Sequence, residues 1–153
     1  MIHIERDPRW WVDVASHPAV AATLFGANPE VVGQVVVSPT VLPLAAVNGG
    51  FFFARLDVMG LVRELHTMFR PEGWGREVHQ AAKEAFEYVF GTGCQVIVTY
   101  QVEGNERSQP PRSFGFVLAG DYRPIDTGAV VRSWVLTRQA WEASPAHRRM
   151  MCQ

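Results

Sequence analysis

The stretch Arg70-Pro71-Glu72-Gly73-Trp74-Gly75-Arg76 limits what this chain can fold into more than any other, because of what lies on either side of it. Before it runs an extended segment, residues 61–69. After it comes the clearest amphipathic helix, residues 76–90. In that helix Val78, Ala81, Ala82, Ala85, Phe86, Val89 and Phe90 recur at helical spacing, and Glu77, Lys83, Glu84 and Glu87 take the wet side. Two glycines at a strand-to-helix junction let the backbone turn tightly and approach a ligand with no Cβ in the way. The first N–H groups of the helix point outward unpaired, at the positive end of its dipole. That makes an anion site, with phosphate as its usual guest. An ordinary strand–helix turn would use the same residues.

Spacing narrows the choice. A Walker loop closes on Gly-Lys-Ser/Thr, and none occurs. A dinucleotide fingerprint needs three glycines in a parallel βαβ context, which is also missing. No ribose-reading acid or magnesium ligand accompanies the loop, so generic nucleotide binding is the weaker reading of it.

At 153 residues the chain suits a single domain with a real core. It is 48% hydrophobic with a formal net charge of −1, and its charges are interspersed, which points away from nucleic acid as a partner. Glu5, Arg6 and Asp7 stand where a signal peptide would be apolar. The longest apolar stretch, residues 35–47, is broken by Ser38, Pro39, Thr40 and Pro43 and is too short to cross a membrane. Cys94 and Cys152 do not suggest a disulfide framework or a metal site. The expectation is a cytoplasmic protein with neither membrane nor metal partners.

Along the chain, Asp7-Pro8 opens a short helix over residues 9–15, and a second starts at Ser16 with Pro18 in its first turn and Gly26 closing it. Residues 27–41 give conflicting signals and read as loop with a short strand. Residues 41–47 and 51–57 flank Asn48-Gly49-Gly50 as a hairpin, and Met59-Gly60 turns into the strand 61–69. Residues 94–102 form a strand that is apolar on both faces. Strands follow within 113–122 and over 130–137, then a helical turn at 138–143 and a solvated tail. Antiparallel strands with one helical crossover indicate an α+β architecture.

Arg70-x-x-Gly73-x-Gly75 resembles the pyrophosphate loop of the GNAT (GCN5-related N-acetyltransferase) acyltransferases. The resemblance extends over residues 41–143. The strand Glu64-Leu65-His66-Thr67-Met68-Phe69 precedes the loop, and Gln95-Val96-Ile97-Val98-Thr99-Tyr100 follows the helix. Asn105-Glu106-Arg107-Ser108 is similar to the family's next helix opening, and Phe114-Gly115-Phe116 to its Gly-Phe signature. Ser133-Trp134-Val135-Leu136-Thr137-Arg138-Gln139-Ala140-Trp141 resembles the last strand of GNAT proteins that acylate protein termini or other amines. The Glu64–Thr67 strand and the proline-rich linker also resemble a compact GNAT-like group of bacteriophages, some of them tied to virion assembly. Two departures stand out: Gln109-Pro110-Pro111 interrupts the helix after Asn105, leaving a turn or stub, and no tyrosine lies near Arg112 to protonate the leaving thiolate.

The resemblance implies one GNAT-like domain, 1–153. It would comprise an N-terminal strand and helices (1–40), a twisted, mostly antiparallel mixed sheet with flanking helices holding the cofactor (41–143), and a tail (144–153). It implies acetyl-CoA as cosubstrate and a protein or small-molecule amine as acceptor, and it admits a homodimer. If phage-encoded, the protein would work in the host cytoplasm. The strand through Glu64 and Arg70 would splay from the strand through Gln95, with the pantetheine arm between them. Amides near Phe69 and Arg70 would bind that arm, and one near Met68 would polarise the thioester carbonyl. Gly73, Trp74, Gly75 and Arg76 would hold the pyrophosphate, and Asn105 would bind the arm or cap the stub. Residues 62, 64, 66 and 68 share a strand face, so His66 and Glu64 are the candidate bases, unless His66 is a buried histidine satisfied by a carbonyl. Ser113 or Ser108, or water, would protonate the thiolate. The rival reading is a non-catalytic assembly module of the same fold.

Overall fold

A computed structural model of the chain describes residues 1–24, 28–105, 109–123 and 128–152. Its strands are β1 (His3–Ile4), β2 (Val41–Ala45), β3 (Gly49–Arg55), β4 (Val62–Phe69), β5 (Val96–Val102), β6 (Val117–Tyr122) and β7 (Val131–Thr137). Its helices are α1 (Pro8–Ser16), α2 (Pro18–Ala21), α3 (Pro29–Val36), α4 (Arg76–Gly91), α5 (Arg138–Glu142) and α6 (Pro145–Met151). The strands join in one seven-stranded sheet of order β1-β2-β3-β4-β5-β7-β6. β1–β2, β2–β3, β5–β7 and β6–β7 are antiparallel, and β4–β5 is parallel. A parallel pair needs a crossover, and α4 supplies it. The architecture is α+β. By its internal contacts the chain divides into two compact units, Met1–Arg55 with His66–Glu87 and Leu56–Leu65 with Tyr88–Gln153, so β4 and α4 each contribute to both.

In the first unit Asp7 caps α1, accepting from the Arg9 amide at 2.9 Å with Pro8 in the first turn. Trp11 is fully buried, tilted on Phe52 with ring centroids 4.3 Å apart, in a core with Val14, Val20, Val32, Val36 and Met68. α2 is capped by His17, whose Nδ1 accepts from Ala19, while Ser16 ends α1 by donating to the Val12 carbonyl. The closing role expected of Gly26 lies outside the described residues.

Residues 29–36 are a helix, where the sequence reads as loop with a short strand. Asn28 caps it, accepting from the Val31 amide at 3.1 Å, and Val32 and Val36 fall on one buried face. Gly33 allows the approach to α1, since a Cβ there would lie 2.9 Å from Val12 Cγ2. Burial against α1 therefore overrides the β-preference of the valines. The hairpin turn also sits earlier than Asn48-Gly49-Gly50. The Ala46 amide donates to the Gly49 carbonyl at 2.7 Å, leaving Val47-Asn48 as the two-residue loop and both glycines within β3.

In the second unit β5 runs between β4 and β7 with one buried face (Ile97, Thr99, Gln101), while Val96, Val98 and Tyr100 on the other face stay partly exposed. The sequence expectation of two apolar faces holds in composition but not in burial. Thr137 caps α5 by accepting from Ala140 at 3.1 Å. The expected solvated tail is helix α6, with Ser144 accepting from the His147 amide at 3.1 Å, Pro145 in its first turn and Ala146 buried. His147 packs edge-on to the buried Trp141 at 5.3 Å.

Candidate active site

The glycine loop belongs to the first unit. From Phe69 the chain enters a 3-10 turn, Pro71–Gly73, in which Gly73 donates to the Arg70 carbonyl at 3.0 Å and Trp74 to the Pro71 carbonyl at 3.1 Å. Two of the four amides expected to hold a pyrophosphate are thus already engaged inside the turn. Gly75 then takes a left-handed conformation (φ +84°), and a Cβ on it would meet nothing within 4 Å. α4 starts directly after it, the His79 amide bonding to the Gly75 carbonyl at 3.0 Å. The Arg76, Glu77 and Val78 amides precede the first intrahelical bond and remain available, as first-turn amides do. Arg76 is exposed beside them. Of the residues expected to form an anion site, Gly75, Arg76 and the first turn of α4 keep amides outside the turn's own hydrogen bonds.

Asn48, 29 residues before Glu77, fixes this loop. Its backbone amide donates to Glu77 Oε1 at 2.8 Å, its side-chain amide to Glu77 Oε2 at 2.7 Å, and its carbonyl accepts from the Arg70 amide at 2.9 Å. Glu77 is acidic in the first turn, where it would face an anion, and the clamp turns its carboxylate onto Asn48 instead. Gly73 fits beneath the clamp, since a Cβ there would lie 3.0 Å from Asn48 Cβ and 3.2 Å from Glu77 Oε2. The Arg70 amide is therefore not free to bind a pantetheine arm, and the Arg70 guanidinium pairs with Asp13. Trp74, 41% exposed, folds back so that its Nε1 donates to the Phe69 carbonyl at 3.0 Å, which fixes it as a lid on the strand end.

β4 changes character along its length. Leu65, Met68 and Phe69 are buried while His66 and Thr67, adjacent in sequence, are both exposed, so strict alternation fails between them. His66 is exposed, not the buried histidine that the sequence left open. The Met68 carbonyl faces β3, because a Cβ on Gly49 would sit 2.2 Å from it. The N–H and C=O of one strand residue leave by the same edge. The Met68 amide therefore also faces β3, and the Thr67 and Phe69 amides leave by the opposite edge, which moves the expected polarising amide off Met68.

The second unit holds the remaining candidates. β4 pairs with β5 over three residues, Val62↔Val96, Arg63↔Ile97 and Glu64↔Val98. At the next position the Leu65 carbonyl is taken by the buried Thr99 hydroxyl at 3.0 Å instead of a β5 amide. That side-chain bond ends the ladder. Glu64 is half-buried. Asn105 sits in the turn after β5, donating to the Val102 carbonyl at 3.0 Å and accepting from Gln101 Nε2 at 3.2 Å. The buried Gln101 is satisfied at its other end by Trp134 Nε1 at 3.1 Å, a bridge that the sequence did not reveal. Ser108 and the rest of residues 106–108 lie outside the described residues, so the helix-opening match of Asn105 and its capping role do too. Ser113 is half-buried in a 3-10 turn, Arg112–Phe114, the one helical element described between Asn105 and β6.

No family model and no curated protein matches the chain. Solved structures do. An aminoglycoside acetyltransferase in complex with coenzyme A superposes with a TM-score of 0.70 at 16% identity, over 94% of this chain and 97% of its own. A mutant spermidine N-acetyltransferase from Vibrio cholerae gives 0.70 at 12% identity, over 92% and 96%. A GNAT-family protein from Desulfovibrio desulfuricans gives 0.69 at 14% identity, over 90% and 98%. This chain has the GNAT fold. Within it Gly115 has a physical reason: its φ is +90° and a Cβ would stand 2.7 Å from the Ala140 carbonyl, so the Phe114-Gly115-Phe116 signature packs where no side chain fits. The parallel β4–β5 pair that ends at Glu64 and the loop that leads into α4 follow one another along the chain.

Proposed function

We propose that this protein transfers an acetyl group from acetyl-CoA to a primary amine. The observation that carries the reading is the junction of β4 with α4, where a left-handed Gly75 opens onto first-turn amides whose own acidic neighbour is clamped away. The residues fit a pyrophosphate there: the first-turn amides of α4 precede its first intrahelical bond, Arg76 adds positive charge, and no side chain fills the space above Gly75. The pantetheine arm would pair with the edge of β4 that carries the Thr67 and Phe69 amides, one of which would polarise the thioester carbonyl. The neutral amine nitrogen attacks that carbonyl carbon, the C–N bond forms as the C–S bond breaks, and the nitrogen gives up a proton. His66, exposed on β4, takes that proton, directly or through a water, with Glu64 two residues back as the alternative. The thiolate leaves as a stable anion and is protonated by Ser113 or by water. The named acceptors of the structural neighbours, aminoglycosides and spermidine, support amines as the acceptor class.

Thiol release from acetyl-CoA over a panel of amines tests the reading. His66→Gln should lower kcat/KM by about 10²–10⁴-fold while acetyl-CoA affinity changes little. Full activity in both His66→Gln and Glu64→Gln would remove the base from this scheme.

A further inference from the structure

The exposed face of the second unit carries a cluster of which the reaction scheme uses only Glu64, its alternative base. Glu64 pairs in parallel register with Val98, and Tyr100 lies two residues further along β5, so the two side chains leave the same face. The register continues across the sheet through Tyr100↔Ser133 and Val102↔Val131 to Tyr122↔Val131, which places Tyr122 on that face as well. The two phenol rings meet edge to face, with centroids 6.2 Å apart and planes at 88°. Both are open to solvent, 37% for Tyr100 and 48% for Tyr122. Burial, then the Glu64 carboxylate, then Tyr122 push the Tyr100 phenol up from its ordinary value, so the ring lies within the field of that carboxylate.

The charge count on this face is decisive. The described strand residues of the second unit that share it are mainly valines, among them Val62, Val96, Val98 and Val135, with Glu64 as their single charged member. Asp121 and Arg132 pair with each other at 3.7 Å from register positions on the opposite face. One carboxylate flanked by two aromatic rings and an apolar floor suits one ammonium on an apolar body. A carboxylate has about four lone-pair positions, so it can accept from an ammonium beside any protein partner. The tyrosine rings add cation–π attraction, and the valines take the hydrocarbon. A polyamine or aminoglycoside would bring several ammonium groups to a wall that answers one.

We propose that Glu64, Tyr100 and Tyr122 form the acceptor subsite, and that its substrate class is a monoamine on an aromatic or unbranched apolar body. This deepens the transferase reading and rests on it for the word acceptor, while the binding claim stands by itself.

Calorimetric titration with phenethylamine, in the absence of acetyl-CoA, tests the subsite; spermidine and kanamycin serve as comparisons. Phenethylamine should bind more tightly than either. Tyr100→Leu and Tyr122→Leu should each weaken it by about tenfold, and Tyr100→Phe should keep the wild-type affinity within about twofold, because the ring supplies the attraction. Thermal melts of the same variants confirm folding, which the exposure of both rings favours. No binding of phenethylamine, or tighter binding of spermidine that neither leucine variant alters, overturns the subsite. Failure of acetyl-CoA to bind alongside intact phenethylamine binding would instead overturn the transferase reading and leave the subsite standing.

Discussion

Removing the Glu77 carboxylate probes the clamp that shapes the candidate anion loop. In Glu77→Ala the half-buried Asn48 loses an acceptor for its backbone amide at 2.8 Å and another for its side-chain amide at 2.7 Å. Hydrogen bonds to charged groups contribute about 1.5–3 kcal/mol each, and a stranded donor adds its desolvation cost. Partial solvent access at both residues trims the sum, so Glu77→Ala should lose about 2–3 kcal/mol, roughly 5–10 °C in Tm for a chain of this size. Asn48→Ala removes one of the two bonds and should cost about 1–1.5 kcal/mol. The double variant should be less destabilised than the sum of the singles, with a coupling of about 1 kcal/mol, because the shared bond can be lost only once. Urea unfolding of the four proteins gives the cycle. Additivity within about 0.3 kcal/mol would show that the two residues do not act as a pair and would refute the clamp.

Gly49→Ala should cost more than about 3 kcal/mol, because its Cβ would meet the Met68 carbonyl at 2.2 Å and Phe69 Cα at 2.5 Å, and both are backbone; Gly91→Ala, with nothing within 4 Å, should be nearly neutral in the same melt. Asp57 accepts from the Val62 amide at 3.0 Å and the Leu61 amide at 3.2 Å, and these bonds, the Val62 one foremost, hold its carboxyl below its ordinary value. Its contribution is therefore present above the ordinary carboxylate pKa and is lost as pH falls through the lowered one. Asp57→Asn should flatten that part of the acid unfolding curve, and an unchanged curve would contradict the assignment.

The parts of the fold legible in the sequence are those whose signals are local. Asp7-Pro8 announces α1, the periodic stripe announces α4, and the glycines bracket the loop between β4 and α4. α3 was hidden because five valines over residues 31–37 advertise a strand. The Asn28-Pro29-Glu30 start signal was present, but only contact with α1 makes it decisive. Ser144-Pro145 likewise announces α6, which the terminal position and the His147-Arg148-Arg149 charges obscured. At the site, Gly75 and the helix start were readable from spacing. The engagement of Arg70 with Asp13, the Asn48–Glu77 clamp and the Thr99 hydroxyl on Leu65 join residues 29 to 57 apart in sequence, and no periodicity records such pairs. Which amides remain free therefore depends on tertiary partners, and the expectation for Met68, Arg70, Gly73 and Trp74 changed for that reason.

Calorimetric titration of acetyl-CoA into the wild-type protein, Gly75→Asn and Gly75→Asp tests the central claim most directly. Space above Gly75 is open and Asn and Asp tolerate its left-handed backbone, so both variants should fold with a similar, modest loss of stability. They differ by one negative charge placed at the first-turn amides of α4. Wild type should bind, Gly75→Asn should keep most of the affinity, and Gly75→Asp should lose at least about tenfold. No binding by wild type, or equal binding by both folded variants, would contradict a cofactor site at this junction.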